Sequence, residues 1–153
     1  NEAVNQALIE GAVGGIVAAD CKIGRMTYWA ANATVPVYEI SFRIVMTNVS
    51  SKPVTLSGDN FATTLDGTPI PPFNFSARDV GDADIWRTYD SLTIRPGEER
   101  SIALAYEISQ PTYDSWYKSS RTVAVSFTCG NQRVTYTKNS RSDEITVSDI
   151  ETL

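Results

Sequence analysis

Between Val37 and Asn48 the chain alternates without interruption: Tyr38, Ile40, Phe42, Ile44 and Met46 are apolar, with Glu39, Ser41, Arg43, Val45 and Thr47 between them. Successive side chains of a strand point to opposite sides, so this period of two makes one face for a core and one near water. On a helix the same residues would be scattered around the circumference. Half-buried strands of this kind belong to antiparallel sheets.

The pattern recurs. From Arg100 to Ile108, the residues Ile102, Leu104, Tyr106 and Ile108 share one side. Val123, Val125, Phe127 and Cys129 do the same before Gly130-Asn131, a two-residue turn into a return strand carrying Val134 and Tyr136. Asp66-Gly67 and Arg95-Pro-Gly-Glu98 mark further reversals. Short strands are expected near Val54 to Leu56, Phe61 to Leu65, Leu92 to Ile94 and Ile145 to Val147, and from Cys21 to Tyr28. Pro69, Pro71 and Pro72 lack the donor a ladder needs, so the stretch to Asp84 is expected to be a long surface loop. Pro111 through Ser120 is read as a second loop, with Tyr113, Trp116 and Tyr117 as an exposed contact patch. The expectation is an all-β, immunoglobulin-like antiparallel sandwich of about eight or nine strands.

A chain of 153 residues fits one such domain, burying about two-thirds of its unfolded surface around a single core. No apolar run reaches the ~20 residues of a membrane-spanning helix. The net charge of −5, with the basic residues scattered, argues against a nucleic-acid partner. Histidine is absent, which removes the commonest general base and the commonest metal ligand together. The chain is therefore read as non-enzymatic, with no cofactor expected. The first residue is Asn1 rather than Met, as expected of a mature exported protein whose leader has been removed, and an extracellular or cell-surface location follows.

Residues 1–20 are read as an arm and residues 21–153 as the sandwich. Val4, Leu8 and Ala12 have helical spacing, but Ile9, Gly11, Val13, Gly15, Val17, Ala19, Cys21 and Ile23 form an odd-numbered apolar or glycine series, and the glycines disfavour a helix. An extended segment is expected from Ile9 onward. It either forms the first strand of its own domain or completes another.

Four groups of residues are candidates for chemistry. Cys21 and Cys129 both lie in phase with apolar neighbours; a long-range disulfide is favoured over two buried thiols. Asn32, Asn48 and Asn74 head Asn-x-Ser/Thr triplets and are candidates for glycosylation. Asp79, Asp82 and Asp84, with Asp90 nearby, are the densest acidic cluster; a hydrated loop is the ordinary reading and calcium the sharper one. Trp29, Trp86, Trp116 and Tyr117 either pack or offer a sugar platform.

The order Tyr38 to Asn48, then Ser51-Lys-Pro-Val54, then Phe61 to Asp66-Gly67, then Leu92-Thr-Ile-Arg-Pro-Gly-Glu98 resembles the uncharacterised immunoglobulin-like domains of exported bacterial and archaeal proteins. The resemblance spans roughly Val37 to Ile108 and implies fold rather than function. The N-terminal arm is similar to that of extracellular filament subunits that polymerise by donor-strand complementation. That likeness implies Ile9, Val13, Val17 and Ala19 as anchors, and a homopolymer or another cell-surface protein as partner. The alternative is a monomeric envelope-associated module that recognises a protein or glycan through its loops.

Overall fold

The alternating segments pair into two antiparallel sheets that face each other across one core. The structure is a computed structural model that describes residues 12–72, 74–79 and 86–153. The first sheet contains β1 (Ile16–Tyr28), β2 (Val37–Asn48), β9 (Glu99–Glu107), β6 (Asn74–Asp79) and β7 (Arg87–Thr88), in that spatial order. The second contains β12 (Ile145–Val147), β11 (Gln132–Asn139), β10 (Thr122–Cys129), β4 (Phe61–Leu65) and β5 (Thr68–Ile70), with β13 (Glu151–Thr152) also on β11. A small ribbon joins β3 (Val54–Leu56) to β8 (Leu92–Ile94). The chain is an all-β sandwich.

Ile40, Phe42, Ile44 and Met46 of β2 are buried, as are Ile102, Leu104 and Tyr106 of β9. They meet Val123, Val125 and Phe127 of β10 and Val134 and Tyr136 of β11 in one continuous cluster. Within the second sheet Phe61 stacks on its cross-strand neighbour Phe127 with ring centroids 5.1 Å apart, and Phe42 of the first sheet, 5.9 Å from Tyr136 and 6.0 Å from Phe61, joins the layers. The Asp66-Gly67 reversal between β4 and β5 has φ of 51° and 84°, as a primed hairpin turn requires.

Three readings of the sequence are corrected. Asn74 to Asp79 is a strand, not part of a loop, because Phe75 and Ala77 reach the core and the segment pairs with β9. Residues 110–118 form helix α1 (Gln110–Lys118) rather than a loop. Ser109 caps it by accepting the Thr112 N–H, and a proline in the first turn loses no bond there. Trp116, expected at the surface, is the largest fully buried side chain, so the helix exists to seat it against the core. Among the described residues, no helix is long and apolar enough to cross a membrane.

Two turns that are distant in sequence form one buried unit. Asn48 is fully buried, and its Nδ2 donates to the carbonyls of Lys52 and Ile94, both at 2.8 Å. Its Oδ1 accepts from Ser50 N at 2.9 Å and Ser50 Oγ at 2.7 Å. Its backbone bonds to Glu98 and Gly97, within the Pro-Gly-Glu turn. Glu98 closes that turn by accepting the Arg95 N–H, which holds its carboxyl below the usual range.

Candidate functional site

The arm region begins with a tight reversal. Gly14 and Gly15 have φ of 57° and 87°, and Val13 and Ile16 exchange both backbone hydrogen bonds across them. Neither glycine tolerates a side chain: a Cβ on Gly14 would stand 2.5 Å from Cys129 Sγ, and one on Gly15 would stand 2.8 Å from Ser50 Cβ. The turn is thereby keyed to the ends of β2 and β10.

From Ile16 onward the chain pairs with β2 of its own sandwich, so the boundary expected after residue 20 falls inside a strand. Ala19 pairs with Val45 but Lys22 pairs with Arg43, so β1 carries one extra residue, a β-bulge with Asp20 at φ 52°. The bulge exchanges the faces. Before it Ile16 and Ala18 turn to the core; after it Cys21 and Ile23 do. Of the expected anchors, Val13 is buried in its own domain, Val17 is half-buried out of phase and Ala19 is exposed. Val13, Val17 and Ala19 therefore do not form one donor face. Ile9 lies outside the described residues.

β1 and β12 are the adjacent margins of the two sheets, and between them the sandwich is open. A groove of about 460 Å³ enters there, lined among others by Ile16, Ala18, Cys21, Tyr136, Ile145 and Val147. The walls are largely aliphatic. Burial pushes the Cys21 thiol up to about 12; burial, then the proximity of Cys21, brings Tyr136 to about 12. Among the described residues β1 pairs with no strand but β2, its first residue Ile16 being bridged by Val13, and β12 pairs with no strand but β11. Alternate backbone groups of both margins therefore face the opening, and Ala12 and Val13, where the described chain begins, sit buried beside it.

The expected disulfide is corrected: both cysteines are free. Cys129 is paired with Gln132, whereas Cys21 shares the groove with Tyr136, the partner of Val125. Val125 and Cys129 are four residues apart on one strand, ~13 Å at the usual rise, while a bridge needs Cα atoms within about 7 Å. Asn48 is excluded as a glycan acceptor in the folded chain, because its amide is buried and both its atoms are engaged. Asn32 is exposed at φ 61° and Asn74 is half-buried in β6. Asp79 ends β6; Asp82 and Asp84 lie outside the described residues, and the described residues hold no group of three metal-ligating side chains.

With this geometry in hand, the chain can be set beside known proteins. Neither protein-family models nor curated sequences give a match. Several solved structures are similar in outline, among them these three. The YjhA protein of Bacillus subtilis aligns at 14% identity and a TM-score of 0.47, over 76% of this chain and 74% of that one. An uncharacterised β-sandwich protein of Clostridium difficile 630 aligns at 14% and 0.47, over 81% and 83%. A protein from Archaeoglobus fulgidus aligns at 12% and 0.37, over 88% and 98%. The fold assignment rests on strand pairing and not on these likenesses.

Proposed function

We propose that this chain is a non-catalytic, exported assembly protein of the cell surface that takes up an extended segment of a second copy, residues 1–11, at its β1 margin. The observation that carries this reading is the apolar groove left open between two unpaired sheet margins. A strand laid there would gain main-chain hydrogen bonds from β1 and bury its alternate side chains between the sheets. Val4 and Leu8, an even number of residues apart and so on one side of an extended chain, precede the first described residue and supply apolar side chains for the groove. Repetition of the contact, each copy giving one segment and receiving another, is heterologous and builds a filament. The absence of histidine and the aliphatic walls of the groove support a binding role over a catalytic one.

A second reading is favoured by the Val13–Ile16 reversal, which lays Val13 against the first residue of β1 in its own domain. The groove would then be filled from within, leaving a monomeric envelope-associated module that binds through its loops. Deleting residues 1–11 separates the two. Under exchange between copies, light scattering shows concentration-dependent assembly of the full chain and a monomer for the truncated one. A full chain that stays monomeric at every concentration, or a truncated chain that assembles equally, overturns the proposal.

A further inference from the structure

On the outer face of the first sheet, Glu39 of β2 stands directly across from Glu107 of β9. Ile108 donates to the Tyr38 carbonyl, so the adjoining Glu39–Glu107 pair is one without backbone hydrogen bonds, where facing side chains come closest. Like charges so placed repel. Glu39 is nonetheless only 4% exposed, and among the described residues its carboxyl has no ion-pair or hydrogen-bond partner. All 13 Lys and Arg residues lie in the described stretches, and the register puts none beside it: its cross-strand neighbours are Met26, Gly24 and Tyr28 of β1 and Ala105 of β9. Lys22 and Arg43 are four residues further along their strands, ~13 Å away. Arg25 pairs with Ile40 on the other face, where it donates to the Tyr113 carbonyl. Exposed apolar surface adjoins the pair. Of six large hydrophobic side chains exposed among the described residues, four, Met26, Tyr28, Trp29 and Val35, belong to the hairpin of β1 and β2. Met26 is directly across from Glu39. Burial, then the charges of Glu39 and Glu107, push the Tyr28 phenol up, which places its ring beside the carboxyls.

We infer that this end of the hairpin docks a partner protein through a lysine or arginine side chain flanked by apolar residues. The cation enters beside Glu39 and Glu107, relieves their repulsion and gives the buried carboxyl the partner it lacks. Tyr28 offers its ring to the same cation, while Met26, Trp29 and Val35 meet the apolar flanks. The net charge of −5 draws a basic partner from a distance. A facing carboxylate pair works against the fold, and groups that do so cluster where a protein binds or reacts. Calcium is a poorer occupant, since it takes six to eight oxygens and the described residues hold no group of three metal-ligating side chains. The surface is independent of the groove, which is lined by the earlier part of β1 and opens between the sheets.

The test is fluorescence anisotropy of a labelled, capped peptide, Ser-Leu-Arg-Leu-Ser, titrated with the full chain at low and moderate salt, beside the same peptide with glutamine for arginine. The arginine peptide binds, more weakly as salt rises, and the glutamine peptide does not. Glu39→Gln and Glu107→Gln each weaken binding about fivefold or more, and Trp29→Ala weakens it as well. Asp59→Asn, at an exposed carboxylate of another loop, leaves it unchanged. Glu39→Gln unfolds at no lower urea concentration than the parent, so its loss of binding is not a loss of fold. Absence of binding by the arginine peptide at low salt overturns the inference. So does equal binding of the glutamine peptide, undiminished affinity in both glutamine variants, or an equal loss in Asp59→Asn. Displacement of the peptide by an equal concentration of butylammonium would make a small cation the ligand and overturn the protein partner.

Discussion

Asn48→Ala removes the side chain that ties two turns together. The buried amide donates two hydrogen bonds at 2.8 Å and accepts from Ser50 N at 2.9 Å and Ser50 Oγ at 2.7 Å. The Ser50 hydroxyl also points at the Lys52 carbonyl, so its bond to Asn48 is shared and counts for less than a full one. At about 1 kcal/mol net per intramolecular hydrogen bond, the set is worth about 3 kcal/mol. The Ile94 carbonyl, left buried without this donor, brings the loss toward 4 kcal/mol. With a urea slope of about 2 kcal/mol/M, the midpoint falls by about 1.5–2 M. Ser50→Ala keeps both Asn48 donors and costs about 1 kcal/mol. Asn48→Asp, which turns two donors into a charge facing two carbonyls, costs at least as much as alanine at neutral pH and recovers partly in acid. Equilibrium urea unfolding followed by tryptophan fluorescence reads all three. A loss below about 1 kcal/mol in Asn48→Ala, or a Ser50→Ala loss that equals it, would refute the idea that this amide is the tie.

Three further outcomes are expected. Burial, together with the charge of Glu107 directly across the sheet, raises the Glu39 carboxyl above its ordinary value. Its stabilising contribution is thus fully present below the unfolded pKa and is lost as pH rises through the folded one. Glu39→Gln should stabilise the protein at neutral pH and flatten that part of the pH profile in chemical denaturation. Thiol titration without reductant should find two groups in denaturant, while native Cys21, held to about 12, alkylates far more slowly than a free thiol at pH 8. One group or none in denaturant would reinstate the bridge. Gly14→Ala forces an alanine to φ 57° and onto Cys129, costing about 2–4 kcal/mol by the same unfolding assay; an unchanged midpoint would show that the turn is not keyed to β10.

Strand identity was legible wherever one face is buried and the other is not. β2, β9, β10 and β11 alternate strongly enough that their limits fall within a residue or two of those expected. The Gly130-Asn131 and Asp66-Gly67 reversals were equally plain, because left-handed backbone needs particular residues. What escaped was structure that alternation does not encode. The extra residue at Asp20-Cys21 shifts every later side chain to the opposite face, yet leaves the run of apolar residues looking continuous. β6 shows only Phe75 and Ala77 as apolar contacts and follows three prolines, so its pairing with β9 is a tertiary fact. Helix α1 is nine residues long, and only its Ser109 cap and Pro111 mark its start. Asn48 heads a glycosylation triplet, which acts only where the asparagine is exposed; its hydrogen bonds bury it instead. The groove was invisible for a further reason, since it arises from where two sheet margins stop short of each other.

Uptake of one copy's first residues by the groove of another is tested most directly by cross-linking. In a chain whose native cysteines are replaced by alanine, Leu8→Cys and Val147→Cys place one thiol on the donated segment and one at the exposed rim of the groove. Isotopically light and heavy chains are mixed, assembled and oxidised, and the linked peptides are read by mass spectrometry. The account predicts residue 8 joined to residue 147 in mixed light–heavy pairs. Links confined to light–light and heavy–heavy pairs, surviving dilution and running as a monomer, would show the segment folded on its own domain and contradict it.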